Sequence, residues 1–458
     1  MEKKLARWLL ILAFLGFLVR ETRAADKFRP PNVILVLVDD LGMTDLSCYG
    51  SKFYETPHID QLAKEGVRFT QAYSACTVCS PTRAALMTGK YPARLHLTDW
   101  IPGHDYPKAK LRPPNWQQSL PLSEVTLAEQ LKSAGYSTMS IGKWHLTPEL
   151  PKGDRAYYPD QQGFDRNLGG YSAGKPPSYF SPYQIPTLKD GSTGEYLTDR
   201  EANEAVQFIE RNRDNPFFLY LAHYAVHQPI QGKMEVVAKY KDKDKAEGKH
   251  TDPGYAAMVE SVDDAMGTIR DALKRMKLEG DTIVIFTSDN GGLIGPTDNS
   301  PLRDGKGSAY EGGVRVPLIV FWPGKTRTGQ VESDPVITMD LYPTILEMTG
   351  IRPLSSVVDG MSLVGLLRSG AKVERDALFW HYPHYHPGGA TPYSAIRSGD
   401  YRLVHFYEDG HDELYRVTTD PGERKDRKSA EPEKAKELRN RLEAWLKSVD
   451  AQLPVPNR

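Results

Sequence analysis

Four apolar runs along the chain each end abruptly in polar, reactive side chains. Val33 to Val38 leads into Asp39-Asp40, and Ser137 to Ile141 into Gly142-Lys143-Trp144-His145. Phe217 to Leu221 leads to His223 and His227-Gln228-Pro229, and Thr282 to Phe286 to Ser288-Asp289-Asn290-Gly291-Gly292. Continuous runs rich in Val and Ile, without polar alternation, predict strands buried on both faces. Between them lie helical periods. Ile59, Leu62, Ala63 and Val67 share a face after Pro57, and Leu127 and Leu131 lie one turn apart behind a capping Thr126. Met258, Val262, Met266, Ile269, Leu273 and Met276 keep the helical spacing over nearly twenty residues. Strands alternating with helices predict an α/β fold, a large mainly parallel sheet covered by helices on both faces. In such sheets the site lies beyond the carboxyl ends of the strands, where all four runs deliver their polar residues.

The pattern changes after about Gly360 to short strands and turns, including Tyr393 to Arg397 and Tyr401 to Phe406. A last helix carries Leu438, Leu442, Trp445 and Val449 on one face. At 458 residues the chain exceeds one small core. The expected organisation is a large domain over 25–360 and a smaller C-terminal α+β domain with an antiparallel sheet over 361–458. The charged stretch Lys233 to His250 reads as a solvated excursion. At the start, Lys3, Lys4 and Arg7 precede the apolar run Trp8 to Val19, with small residues at Thr22 and Ala24. This is the form of an export signal over 1–24, cleaved after Ala24. The run is short for a membrane span, although an uncleaved anchor is the alternative. A secreted or periplasmic protein with no membrane span after signal removal is expected.

A net charge of -1 leaves no basic excess for a phosphate backbone, so no nucleic-acid partner is implied. Of the three cysteines, Cys48, Cys76 and Cys79, an exported protein must leave one unpaired. If chemistry consumes Cys79, Cys48 and Cys76 remain as a possible pair, though nothing in the sequence fixes their distance.

The most specific segment is Cys79-Ser80-Pro81-Thr82-Arg83, continuing to Thr88-Gly89-Lys90. Here the chain resembles the type I sulfatases of the alkaline-phosphatase superfamily. Their signature is Cys or Ser, any residue, Pro, any residue, Arg, then a Thr-Gly turn. The resemblance runs on through Asp39-Asp40, Gly142-Lys143-Trp144-His145, Asp289-Asn290 and Lys306-Gly307 to Glu311-Gly312-Gly313. It implies that a formylglycine-generating maturation enzyme oxidises Cys79 to formylglycine. The hydrated aldehyde would offer one hydroxyl to attack sulfur and a second to expel sulfate afterwards, a form of covalent catalysis. Against this stands Cys76-Thr77-Val78-Cys79 as a redox or zinc dithiol. That reading lacks further zinc ligands and leaves Pro81, Arg83 and the Thr-Gly turn without a role.

Asp39, Asp40, Asp289 and Asn290 are oxygen donors of the kind Ca2+ takes, with Mg2+ the runner-up because it demands tighter geometry. Either pair alone could simply cap a following helix. With Cys79 they form the expected metal site. The resemblance further implies that Arg83 steadies the formylglycine and that Lys143 and Lys306 contact sulfate oxygens. It assigns His145 to deprotonating the hydrate and places His227 near the leaving oxygen; His223 is left as structural. In isolation Lys306 would read as a solvated surface residue.

The cluster His381-Tyr382-Pro383-His384-Tyr385-His386 is expected either to line the substrate entrance, with His384 contacting sugar, or to be an ordinary polar loop. The expected substrate is a sulfated polysaccharide or oligosaccharide, by resemblance a galactose or N-acetylgalactosamine sulfate. A phosphatase or phosphonate hydrolase is the alternative enzyme. A catalytically dead sulfoglycan binder is the alternative outside enzymes, but it would have no need of an oxidisable nucleophile.

Overall fold

The computed structural model describes residues 29–149, 154–243 and 252–457. The segment read as an export signal lies outside them. Eight strands build the main sheet: β1 (Asn32–Val38), β2 (Val67–Phe69), β3 (Ser137–Gly142), β4 (Arg166–Leu168), β5 (Phe217–Ala222), β6 (Thr282–Ser288), β7 (Leu318–Phe321) and β8 (Gln330–Glu332). Their order is β8-β2-β7-β6-β1-β5-β3-β4. The pairs β1–β5, β1–β6 and β3–β5 are parallel, while β7 runs antiparallel to both neighbours.

Burial of the central strands follows from their sequence. Ile34, Val36 and Val38 of β1 enter one core, while Val33, Leu35 and Leu37 enter the other. β5 divides the same way, with Phe217, Leu219 and Leu221 on one side and Phe218 and Tyr220 on the other. Each such side chain contributes about 1.5–3 kcal/mol by leaving water, and a charge in its place would be buried unpaired.

The longer helices around the two sheets include α1 (Pro57–Glu65), α2 (Cys79–Thr88), α3 (Leu127–Ser133), α4 (Leu197–Arg211), α5 (Met234–Asp242), α6 (Pro253–Arg275) and α7 (Pro432–Ser448). The Asp252 side chain accepts from Gly254 N and Tyr255 N to start α6, with Pro253 at its first position. Thr126 and Glu129 close a reciprocal capping box on α3. Helices α1, α4 and α6 cover one face of the sheet, and α2 and α3 the other.

The charged stretch after Lys233 is not a solvated excursion throughout. Its described part forms α5, which buries Tyr240 in the core beside α6, where the Tyr240 hydroxyl accepts from Glu55 N at 3.1 Å. Aromatic burial within the stretch outweighs the surrounding charge.

A four-stranded antiparallel sheet follows: β9 (Leu378–Tyr382), β10 (Tyr393–Ser398), β11 (Tyr401–Phe406) and β12 (Asp412–Arg416). Leu438, Leu442 and Trp445 of α7 pack on it through Ile396, Leu403 and Val404. The same core takes in Ala75, Cys76 and Val78, so the sheet grips the segment that delivers Cys79. Pro31–Arg458 forms one compact unit. The pairing of Cys48 with Cys76 that the sequence left open does not occur: all three cysteines are free. Cys48 packs against the core that holds α1, whereas Cys76 sits in the core of the second sheet. No helix among the described residues is long and apolar enough to cross a membrane.

Candidate active site

The carboxyl ends of the central strands β1, β5 and β6 are stitched together. Asp39 N donates to Ala225 O at 2.9 Å, Val226 N to Asp39 O at 2.7 Å, and Asp289 N to Val38 O at 3.2 Å. β3 joins them through Gly142, whose φ of +86° and close approach to Ala222 O leave no room for a Cβ. Asp40 and His145 adopt left-handed φ values of 61° and 58°, which are costly for residues with a Cβ. Cys79 opens α2, and the loop before it is tied to the Lys306 loop by Gly307 N to Thr77 O, 3.0 Å, and Thr77 Oγ1 to Ser308 O, 2.8 Å.

These ties gather the expected residues. One ligand atom from each of Asp39, Asp40 and Asp289 lies within 4.8 Å of the others. It is the one such group of three among the described residues. Arg83 donates twice to Asp289 Oδ2, at 2.9 and 2.7 Å, and once to Lys143 O at 3.0 Å. Lys143 Nζ stands 2.6 Å from Asp39 Oδ2, and Lys306 Nζ 2.8 Å from Asp40 Oδ1. Asn290 Nδ2 donates to Asp40 Oδ1 at 2.8 Å.

Burial and the Asp289 charge push the Asp39 carboxyl well above its usual range, despite Lys143 and Arg83 beside it. Burial also raises Asp40, yet the Lys306 and Lys143 charges prevail and hold it below that range. Arg83, Lys143 and Lys306 already face these carboxylates, so a metal ion would depend on the donor atoms that they leave over. Asp39 Oδ1 and Asn290 Oδ1 are buried without a hydrogen-bond partner, so two oxygen donors remain for one. The set is all oxygen, which suits a hard divalent ion and not zinc.

Burial raises the Cys79 thiol pKa, with Lys143 and Lys306 offsetting only part of it. An unmodified thiol here is therefore protonated and a poor nucleophile. Cys76 is raised as well by burial, which removes the physical basis for a reactive dithiol.

The two histidines present opposite nitrogens. His145 Nε2 donates to Ile101 O at 2.6 Å, leaving Nδ1 buried and without a partner. Burial and Lys143 hold its pKa well below the ordinary value, so it is a neutral base. His227 Nδ1 donates to Gln228 O at 2.8 Å and its Nε2 lies 3.7 Å from Asp40 Oδ2. Burial and Lys306 lower its pKa to about 3. His223 is buried and paired with Glu201 at 2.6 Å, as befits a structural residue.

A cavity of about 610 Å3 opens above the cluster, with Asp40, Cys79, His145, His227 and Lys306 at its base. His384 does not line it, contrary to the sequence expectation. His384 is 2% exposed, bonds Thr98 Oγ1 through Nε2 at 2.8 Å, and packs against Trp116. The residue of the histidine cluster that reaches the cavity is His386, lying over Gly307, where a Cβ would collide with its ring. His381 is buried between Ser394 and Gln452 O.

Sequence reasoning missed Trp100, Ile101 and His104 on one wall and Glu149, Tyr171 and Lys175 on the other. They occupy loops without periodicity, and Ile101 acts on His145 through its carbonyl, which no side-chain pattern reports.

The comparisons agree with this geometry. The sulfatase family model matches residues 31–351, about seven-tenths of the chain. The chain belongs to the sulfatase family. This sulfatase therefore sits in the alkaline-phosphatase superfamily and is a sulfuric ester hydrolase. A second model, described as N-sulphoglucosamine sulphohydrolase, C-terminal, matches residues 305–452. A sulfatase of Formosa agariphila is 35% identical, covering 92% of this chain and 89% of its own. The N-acetylgalactosamine-6-sulfatase of Mus musculus is 34% identical over 81% of this chain and 72% of its own. The crystal structure of Ps i-CgsB superposes with a TM-score of 0.79 at 30% identity, covering 91% of this chain and 93% of its own. That protein has also been solved in complex with k-i-k-neocarrahexaose.

Proposed function

We propose that this sulfatase is exported and hydrolyses sulfate esters of carbohydrates, using a formylglycine made from Cys79 and one bound Ca2+. The observation that carries the reading is the arrangement at the cavity base. A protonated, weakly nucleophilic Cys79 adjoins three buried carboxylates and a neutral His145 with an open Nδ1. The carbohydrate part rests on the relatives named above and on the aromatic cavity walls.

Asp39, Asp40, Asp289 and Asn290 would hold the ion, which supplies positive charge to orient the sulfate. Formylglycine hydrate supplies a nucleophilic oxygen and a second hydroxyl for release of sulfate. The other steps belong to the chain's own groups. His145 takes a proton at Nδ1, because Ile101 O keeps the other nitrogen protonated. Lys306 presents its ammonium at the cavity base, and Lys143 and Arg83 lie directly beneath. Fixed cations in a site closed to water stabilise charge spreading over sulfate oxygens during transfer. His227 stands near the leaving oxygen with Nε2 as an acceptor, its own proton held on Nδ1 by Gln228 O.

The test is mass spectrometry of the Cys79 peptide from active enzyme, paired with metal analysis. A loss of about 18 Da relative to the thiol and close to one equivalent of calcium are expected. Cys79→Ala should cut turnover by about a thousandfold or more while the melting curve stays unchanged. Full activity in a preparation carrying only the unmodified thiol would overturn the mechanism.

A further inference from the structure

The aromatic wall of the cavity continues past its mouth. The Trp100 ring lies 6.5 Å from that of His145, His104 follows 4.9 Å from Trp100, and Tyr106 follows 6.1 Å from His104. Trp100 and His104 line the cavity with Cys79, whereas Tyr106 lies beyond its lining. His104 is exposed, and Trp100 and Tyr106 are half-buried. The series thus starts beside the chemistry and leads outward over accessible rings.

Its backing is fixed. Tyr385 is buried 5.5 Å from Tyr106, and its hydroxyl accepts from Leu111 N at 3.1 Å and donates to Glu408 at 2.8 Å. The C-terminal strand Val455–Pro456 pairs with Leu111–Arg112, and Asn457 Nδ2 donates to Pro107 O and Ala109 O. A long surface segment is thereby held in one shape, so a ligand that docks on it meets little ordering cost.

Charge along the same segment has one sign in excess. Lys108, Lys110 and Arg112 are exposed, against a single carboxylate, Asp105, in the same segment. Lys110 lies 3.4 Å from Glu408, while Lys108 and Arg112 have no acidic partner within ion-pair distance among the described residues. The rings meet edge to face, and accessible aromatic rings take the C–H face of a sugar while free cations take its sulfates.

We infer that Trp100, His104 and Tyr106 form a saccharide track, flanked by Lys108 and Arg112, that holds the units next to the reacting sugar of a multiply sulfated oligosaccharide. The inference rests on the carbohydrate reading above and extends it from a single sulfated sugar to a chain. Tyr106 and Lys108 lie outside the catalytic set, so substitutions there should spare the chemistry.

The experiment compares Tyr106→Ala and Lys108→Ala with the wild type on three kinds of substrate. These are 4-nitrophenyl sulfate, sulfated galactose and N-acetylgalactosamine monosaccharides, and sulfated hexasaccharides of a galactan and a galactosaminoglycan. Binding of the same hexasaccharides is measured in the Cys79→Ala background. The track requires the wild type to favour a hexasaccharide over its monosaccharide. It requires Tyr106→Ala to lower hexasaccharide kcat/KM about tenfold, mainly through KM, with the small substrates unchanged. The Lys108→Ala deficit should close at high salt. Equal losses on all substrates, or hexasaccharide turnover and binding that ignore both variants, would overturn the track and leave the carbohydrate reading standing. Turnover of the aryl sulfate alone, with no sugar bound or desulfated, would overturn both.

Discussion

His384 and His386 stand two residues apart and have opposite surroundings. Burial lowers both pKa values, to about 3 and about 4, so each is neutral near pH 7. His384 spends its nitrogens inside the protein, on Thr98 and toward Asp99 Oδ2 at 3.7 Å. His386 accepts at Nδ1 from Gly388 N at 2.9 Å, which leaves Nε2–H as a donor on a residue that lines the cavity. His386→Ala is therefore expected to reduce kcat/KM on a sulfated sugar by about tenfold, and on 4-nitrophenyl sulfate far less, since an aryl ester offers no hydroxyl to the lost donor. His384→Ala is expected to lower the melting temperature and to affect both substrates alike. Parallel steady-state assays on the two substrates check both expectations; a selective sugar defect in His384→Ala would reverse the assignment.

At the scale of elements, Thr98 to His104 connects the second sheet to the catalytic base. Asp99 Oδ1 accepts from Trp100 N at 2.9 Å and from the Tyr382 hydroxyl at 2.7 Å, and Ile101 N donates to Ser80 Oγ at 3.1 Å. The loop held in this way presents Ile101 O to His145. Burial pushes Asp99 up to about 8, with Tyr382 and Trp100 N the main opposing groups and neutral His384 adding no positive charge. An acid with a raised folded pKa binds its proton more tightly folded than unfolded. Stability is then full below its unfolded value near 4 and declines as pH rises toward 8. Asp99→Asn is expected to flatten the fall in melting temperature between about pH 5 and 8. An unchanged slope would show that Asp99 ionises freely in the fold.

The four strands behind the site were legible in the sequence because each is apolar on both faces, and their ends announced the carboxylates, the lysines and the histidines. The antiparallel β7 and the short β2, β4 and β8 were not legible, since three or four residues carry no period. Neither was the Thr98 to His104 loop, whose part in the site is a carbonyl and a set of rings with no regular spacing. The histidine cluster was visible as composition, but which imidazole faced the cavity depended on strand β9 ending at Tyr382, a boundary that pattern alone does not fix.

Across the whole molecule, the second sheet is joined to the catalytic sheet by buried charges as well as by its apolar core. Arg402 of β11 bonds Glu423 and Ala309 O, and Glu423 Oε2 accepts from Glu311 N at 2.7 Å. Glu311 Oε2 accepts from the Tyr73 hydroxyl at 2.8 Å and from Arg315 at 3.2 Å. Glu311 begins the turn whose Gly313 O receives Gly291 N at 3.0 Å, one residue beyond Asn290. The network therefore reaches the metal-ligand loop. Burial raises Glu423 to about 7 against the pull of Arg402, so removing the guanidinium leaves two acids facing each other in the interior. Breaking such a pair from one side costs about 3–5 kcal/mol, whereas replacing both partners with apolar groups of similar volume costs far less. Arg402→Met is expected to lower the melting temperature of the entire chain in a single transition, because Pro31–Arg458 is one compact unit. The double variant Arg402→Met/Glu423→Leu is expected to recover most of that loss. Calorimetry distinguishes the outcomes. A separate low-temperature transition in the single variant would mean that the second sheet unfolds on its own, and a double variant no better than the single would mean that Arg402 acts through packing against Trp380, 5.5 Å from its ring, and not through its charge.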